Sequence, residues 1–159
     1  MTTEFYILSS LNDVNNVKIR NGKMDIKHLL ARESGLEKWV RVLKIPFPLG
    51  REVVHSEVYP ALMLPAPLLE RQEYGIEQFF TELIEPEGTL STVRVDKKRS
   101  LFTRGHCSAE FVRLEIEGVS SHSLALESEE RGLLVDEIKS FGLSGEENTN
   151  YIKFLKHLA

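Results

Sequence analysis

Asn21-Gly22, set between the alternating runs "VKIR" and "KMDIKHLL", constrains this chain more than any other pair of residues. Both residues accept the positive φ angles of a two-residue type I′ turn, so the flanking runs are expected to pair antiparallel. The turn also fixes a register, in which Arg20 faces Lys23, Ile19 faces Met24, Lys18 faces Asp25 and Val17 faces Ile26. One face of the hairpin is then apolar. The other gathers Lys18, Arg20, Lys23 and Lys27 against a single carboxylate, Asp25.

Other segments carry the same kind of signal. Strands are expected over "EFYILSS" (Glu4 to Ser10), "EKWVRVLKIPF", "STVRVDKKRSLF", "AEFVRLEIEG" and "SLALESE", all rich in β-branched, aromatic or aliphatic residues. "ARESG" reads as a loop, and turns are expected at Arg104-Gly105-His106 and from Gly118 to Ser121. From Pro46 to Pro67 six prolines and glycines punctuate the chain, which predicts loop with a short strand or helical turn. Tyr74 to Ile84 places Ile76, Phe79, Phe80, Leu83 and Ile84 on one helical stripe. A further helix is expected over "EERGLLVDEIKSFG", capped by Ser128 and stopped by Gly142, and "NYIKFLKHL" predicts a last turn or two. Long alternation of strands and helices is absent. The pattern predicts an α+β protein: an antiparallel β-barrel or strongly curled sheet, with helices packed outside.

Composition narrows the function classes. At 159 residues the chain suits one domain, 1–159, with a proper core. Its 42% apolar and 28% charged residues and net charge of −4 give no global pull towards nucleic acid or an anionic membrane. The lone cysteine, Cys107, leaves no intrachain disulfide and suggests a reducing compartment. No apolar run approaches the ~18 residues of a membrane span, so a cytoplasmic protein is the expectation. There is no GxxxxGK[ST], HExxH, CxxC or Gly-x-Ser-x-Gly motif. The five histidines are scattered, Trp39 is expected in the core, and "KKR" (Lys97 to Arg99) lacks the interleaved aromatics of a nucleic-acid patch.

Strand parity places the charges. Val112, Leu114 and Ile116 share a face opposite Arg113, Glu115 and Glu117; Leu124 and Leu126 oppose Glu127 and Glu129. "VRVDKKRSLF" is less regular, because Lys97 and Arg99 fall in phase with Val93 and Val95 unless a bulge resets the strand. Such a charged face needs no function if it merely meets water, as one face of an antiparallel sheet commonly does. A curled sheet would instead turn it inward, with cations from the early strands opposite carboxylates from the late ones. That division suits a polyphosphate held with a divalent metal, since Lys and Arg bind phosphate oxygens and carboxylates bind hard cations.

"VKIRNGKMDIKHL", "VRVDKKRSLF", "EFVRLEIEGV", "LALESEE" and "TNYIKFL" follow in an order that resembles the CYTH, or triphosphate tunnel metalloenzyme, superfamily, which includes class IV adenylate cyclases and thiamine triphosphatase. The resemblance spans most of the chain, least so around Arg51 to Pro67. It implies an antiparallel tunnel binding a triphosphate-containing small molecule with Mg²⁺ or Mn²⁺. Carried over by motif, it implies Lys18, Arg20, Lys27, Lys97, Arg99 and Arg113 as substrate ligands and Glu115, Glu127 and Glu129 as metal ligands. The family's N-terminal ExExK strand has no counterpart, since Glu4 is followed on its face by Tyr6 and Leu8.

The expected functions are therefore metal-dependent hydrolysis of a nucleoside, organic or inorganic triphosphate, or a cyclase-like reaction; a nucleotide- or polyphosphate-binding module without turnover; and a structural interaction domain. No catalytic residue stands out. A tunnel short of a strand leaves backbone edges for a loop or a partner chain to cover, and a homodimer is one expectation.

Overall fold

The computed structural model describes residues 1–158. In chain order the elements are β1 (Thr2–Ser9), β2 (Asn15–Arg20), β3 (Lys23–Glu33), β4 (Leu36–Pro46) and β5 (Leu49–Gly50), then a helical stretch made of α1 (Arg51–Val53), a π turn (Val54–Val58) and α2 (Tyr59–Ala61). There follow β6 (Glu73–Tyr74), α3 (Ile76–Gln78) running into a second π turn (Phe79–Ile84), β7 (Leu90–Arg104), β8 (Cys107–Ile116), β9 (Val119–Ser128), α4 (Arg131–Ser140) and α5 (Tyr151–Leu158). The class is α+β, as the pattern predicts. Seven strands form an antiparallel sheet in the order β4-β3-β2-β1-β7-β8-β9, and β5 pairs with β6. The chain divides into two compact units: Glu4–Arg94 with the chain from Thr149 onward, and Met1–Thr3 with Val95–Asn148.

In the larger unit, Asn21 and Gly22 take φ of 52° and 68°, and β2 pairs with β3 in the register the turn demands. Ile7, Val17, Ile19, Met24 and Ile26 fall on one face of β1–β3 and are all buried. They pack in one core with Val54, Val58, Leu62, Phe79 and Leu83 from the helical stretches. Each fully buried side chain of this kind contributes on the order of 1.5–3 kcal/mol. The buried Tyr59 ties the two stretches together by donating its hydroxyl to the Leu83 carbonyl at 2.8 Å. Burial pushes its phenol up to about 12.

The region from Pro46 to Pro67 holds more helix than its prolines suggest. Pro60 stands inside this continuous helical stretch, directly after the π turn in which the Tyr59 N–H reaches back to the Val54 carbonyl, and the stretch ends one residue beyond it at Ala61. "ARESG" is also more ordered than a loop: β3 runs to Glu33, and Ser34-Gly35, both at positive φ, make the turn. β4 meets β3 with two register shifts, between Ile26 and Lys27 and between Leu29 and Ala31. The last segment forms a full helix, α5, with Ile152 and Leu155 buried.

In the smaller unit β7, β8 and β9 form a meander. The β7–β8 pairing runs unbroken from Val95–Ile116 to Arg104–Cys107, so no bulge resets β7. Lys97 therefore stays in phase with Val95 and is buried. The β8–β9 turn is Glu117-Gly118, at φ 49° and 83°, and Ser120 and Ser121 already belong to β9. α4 begins later than a Ser128 cap would place it. Glu130 takes the N-cap position, while the Ser128 hydroxyl accepts the Glu130 N–H. Gly142, at φ 70°, ends the helix as expected, donating its N–H to the Lys139 carbonyl.

Candidate functional site

The charged face of the larger unit is assembled by register. Glu4 lies opposite Arg20 and Tyr6 opposite Lys18; across the next pair Lys18 meets Asp25, Arg20 meets Lys23 and Asn16 meets Lys27. On β4, Lys44 meets Asp25 and Arg41 meets Lys27, the register shift keeping Arg41 on this face. Six cations, Lys18, Arg20, Lys23, Lys27, Arg41 and Lys44, thus surround two carboxylates, Glu4 and Asp25, and further along the face Arg32 meets Glu37. Three of the residues expected to bind substrate, Lys18, Arg20 and Lys27, are brought together here.

This face is not simply a wet exterior. Glu4 is fully buried and Asp25 only 2% exposed. Glu4 accepts the Tyr6 hydroxyl at 2.9 Å, lies 3.1 Å from Lys18 Nζ and 3.5 Å from Arg20 Nη1. Lys18 Nζ also sits 5.3 Å from the Tyr6 ring centroid. Burial lowers the pKa of Lys18, with the Glu4 charge opposing that shift. Arg20 reaches Asp25 Oδ2 at 3.8 Å. Among the described residues, Asp25 Oδ1 and Asn16 Oδ1 are buried without a hydrogen-bond partner, two acceptors aimed from one face.

α5 covers part of this same face. Tyr151 stacks on Tyr6 with ring centroids 5.5 Å apart. Asn150 donates its side-chain amide to Glu37, and Lys156 binds Asp13 and the Asn12 carbonyl, each at 2.8 Å. Trp39, expected in the core, instead stands half-buried outside it and donates its indole N–H to Glu37 as well.

The remaining expected site residues lie in the smaller unit and do not share one face. Lys97 opposes Leu114 and Arg99 opposes Val112, so both lie on the face of the buried aliphatic residues. Arg99 bonds Thr2 and lies 3.3 Å from Glu110. Arg113 and Glu115 lie on the opposite face, exposed and paired with each other at 3.1 Å. Glu115 stands opposite Ser120 and Glu127 opposite Ser108, seven positions away along β8 and on the other face. At a strand's rise that separation is roughly 23 Å. Glu129 lies beyond β9, in the link to α4. Glu115, Glu127 and Glu129 are therefore not gathered into one ligand set, and the described residues hold no cluster of three or more His, Cys, Asp or Glu. Parity misleads here because β8 buries even-numbered residues at one end and Cys107 and Ala109 at the other, so its alternation does not mark one lumen.

Two site residues escape the sequence reading. Glu4 looks like a failed ExExK strand, yet it is the carboxylate on which Lys18 and Arg20 converge. Its signal was the position of Glu4 and Tyr6 on one strand face, which needed the β1–β2 register to be useful. Asn150 gives no signal apart from its place before a short amphipathic run. The chain matches no protein-family model, no curated protein and no solved structure.

Proposed function

We propose that the polar face of β1–β4 binds a triphosphate-bearing small molecule, in keeping with the CYTH-like order of the sequence motifs. The observation that carries this reading is the excess of cations on that face, seven against three with the Arg32–Glu37 pair included, and Lys18 and Arg20 held in place by the buried Glu4. Cations fixed before the ligand arrives lose little freedom on binding, and Lys and Arg suit phosphate oxygens. The burial of Glu4 and Asp25 speaks against charges that serve only to solvate a surface. The reading rests on the larger unit alone.

The test is calorimetric titration with inorganic triphosphate and with ATP, with and without Mg²⁺. Arg20→Ala and Lys27→Ala should each weaken binding roughly 10- to 100-fold, the size of one charge-assisted hydrogen bond. Unchanged affinity in both variants rejects the site.

A hydrolytic version of the same reading is favoured by Asp25 Oδ1, a buried carboxylate oxygen without a partner. Asp25 is the residue that would hold Mg²⁺ or Mn²⁺, since the Glu4 oxygens already meet Tyr6, Lys18 and Arg20, and a carboxylate oxygen of this kind fits a hard cation. Such an ion supplies charge neutralisation on a phosphoryl group undergoing attack. The residues themselves orient the ligand: Lys18 and Arg20 through Glu4, and Lys27 from the facing strand. Asp25→Asn should abolish metal-dependent phosphate release while leaving metal-free binding intact. Release at the unaltered rate would exclude this version and leave the binding module.

A further inference from the structure

The two strands that end the sheet order differ in how they are protected. β4 carries Lys38, Arg41, Lys44 and Pro46 and pairs through two register shifts, all devices that discourage another strand from joining. β9 has none of them. Its ten residues contain no Lys, Arg or Pro, a single carboxylate at Glu127, and an unbroken register with β8 from Cys107–Ser128 to Ile116–Val119. An apolar cavity of about 440 Å³ adjoins this strand, lined by Phe102, Phe111, Leu124, Leu126 and Phe141, with Arg104 and Glu137 3.6 Å apart beside them. Phe102, Phe111, Leu124 and Phe141 are all exposed. Contiguous exposed apolar surface rich in aromatic side chains marks an interaction site, and here it continues onto an edge strand that carries no lysine or arginine to repel another strand.

We propose that β9 is the dimer interface, pairing antiparallel with β9 of a second copy of this chain. The sequence of the strand selects the register. Antiparallel partners share a face, so the apolar faces of the two copies continue one another only if the twofold axis passes through a residue rather than between two. An axis at Ala125 sets Leu124 against Leu126 of the second copy and brings the two cavities together across the junction. An axis at Leu124 would set Leu126 against His122, an apolar side chain against a polar one. An axis at Glu127 would stack like charges, and one at Leu126 would set Leu124 against Ser128. Ala125 is therefore the centre, and the opposed charges of Arg104 and Glu137 beside each cavity let the patch meet its own copy without net repulsion.

Sedimentation equilibrium across a concentration series tests the proposal with the whole chain. The wild type should be a dimer at micromolar concentration, and Leu124→Lys, which places a charge in the junction, should shift it to monomer at least tenfold more readily. A wild type that stays monomeric throughout, or a folded Leu124→Lys variant as dimeric as the wild type, overturns the proposal. Cross-linking gives a second reading that does not depend on that variant folding. With the axis at Ala125, the two copies of Ala125→Cys face each other at disulfide distance, whereas those of Ser120→Cys stand roughly 33 Å apart. Oxidant should join the first pair and not the second. Equal cross-linking of both, or of neither, excludes this register.

Discussion

Lys18 Nζ lies 3.1 Å from Glu4 Oε2, and the carboxylate it meets is fully buried. Arg20 approaches the other oxygen of the same group at 3.5 Å. Removing one partner of a buried pair strands the other charge, which generally costs more than the pair itself contributes. Glu4→Gln should therefore destabilise the protein by about 3 kcal/mol in urea denaturation, and Lys18→Met in the same chain should recover part of the loss. A change under about 0.5 kcal/mol for Glu4→Gln would show that the cluster rearranges without it.

The alkaline limb of stability should rise and then fall. Lys18 has a folded pKa below its unfolded 10.5, so between the two values the unfolded chain binds more protons and stability increases with pH. Tyr59 runs the other way. Its folded value is about 12 against 10.0, so the unfolded chain loses its proton first and stability declines from pH 10 towards 12. Tyr59→Phe should flatten the declining limb and Lys18→Met the rising one, read from thermal melts at fixed ionic strength. An unaltered pH profile in both variants would refute this account.

Asn150 joins two functions in one side chain. Its Oδ1 accepts the Lys153 N–H at 3.0 Å, capping α5, while its amide donates to Glu37 at 3.0 Å. Asn150→Ala should cost about 1–2 kcal/mol, the usual loss of an N-cap with a charge-assisted bond added. Asn150→Asp keeps a capping oxygen but confronts Glu37 with a second carboxylate, so it should be no more stable than the alanine variant. A fully tolerated aspartate would separate the helix from that contact.

Gly22 holds a left-handed conformation at φ 68°, with nothing within 4 Å of where a Cβ would stand. Space is therefore not the constraint. Gly22→Ala should cost about 1–2 kcal/mol from backbone conformation alone, and Gly22→Asn distinctly less, because Asn tolerates this region. Equal losses would point to a steric cause instead.

What could be read from the sequence was whatever a local rule determines. Asn21-Gly22 sets four cross-strand pairs, from Arg20–Lys23 to Val17–Ile26, because a two-residue turn leaves one register. Gly142 ends α4 for a similarly local reason. Pro60 misled in the opposite direction, since it stands next to a π turn and only one residue before the helical stretch ends at Ala61. The site was harder to read because its two carboxylates come from different strands. Asp25 was visible across the hairpin from Lys18, but Glu4 reaches the same cluster only through the β1–β2 register, and its loop carries no turn signature as specific as Asn-Gly. There the chain is shaped by Asn12, whose side chain accepts the N–H groups of Val14 and Asn15 at 3.1 and 2.8 Å. Glu115, Glu127 and Glu129 show the converse: residues alike in parity along their own strands fall on different faces once the strands are paired.

Tyr151 stacking on Tyr6 also orders events during synthesis. The first strand of the larger unit is made before the helix that covers its polar face, with residues 95–148 of the smaller unit made between them. Until then Glu4, Lys18 and their neighbours must wait in water, as a nascent face open to cellular anions and chaperones. A ligand that binds those cations could engage the chain before α5 arrives, so the late-made helix would close over a face already occupied.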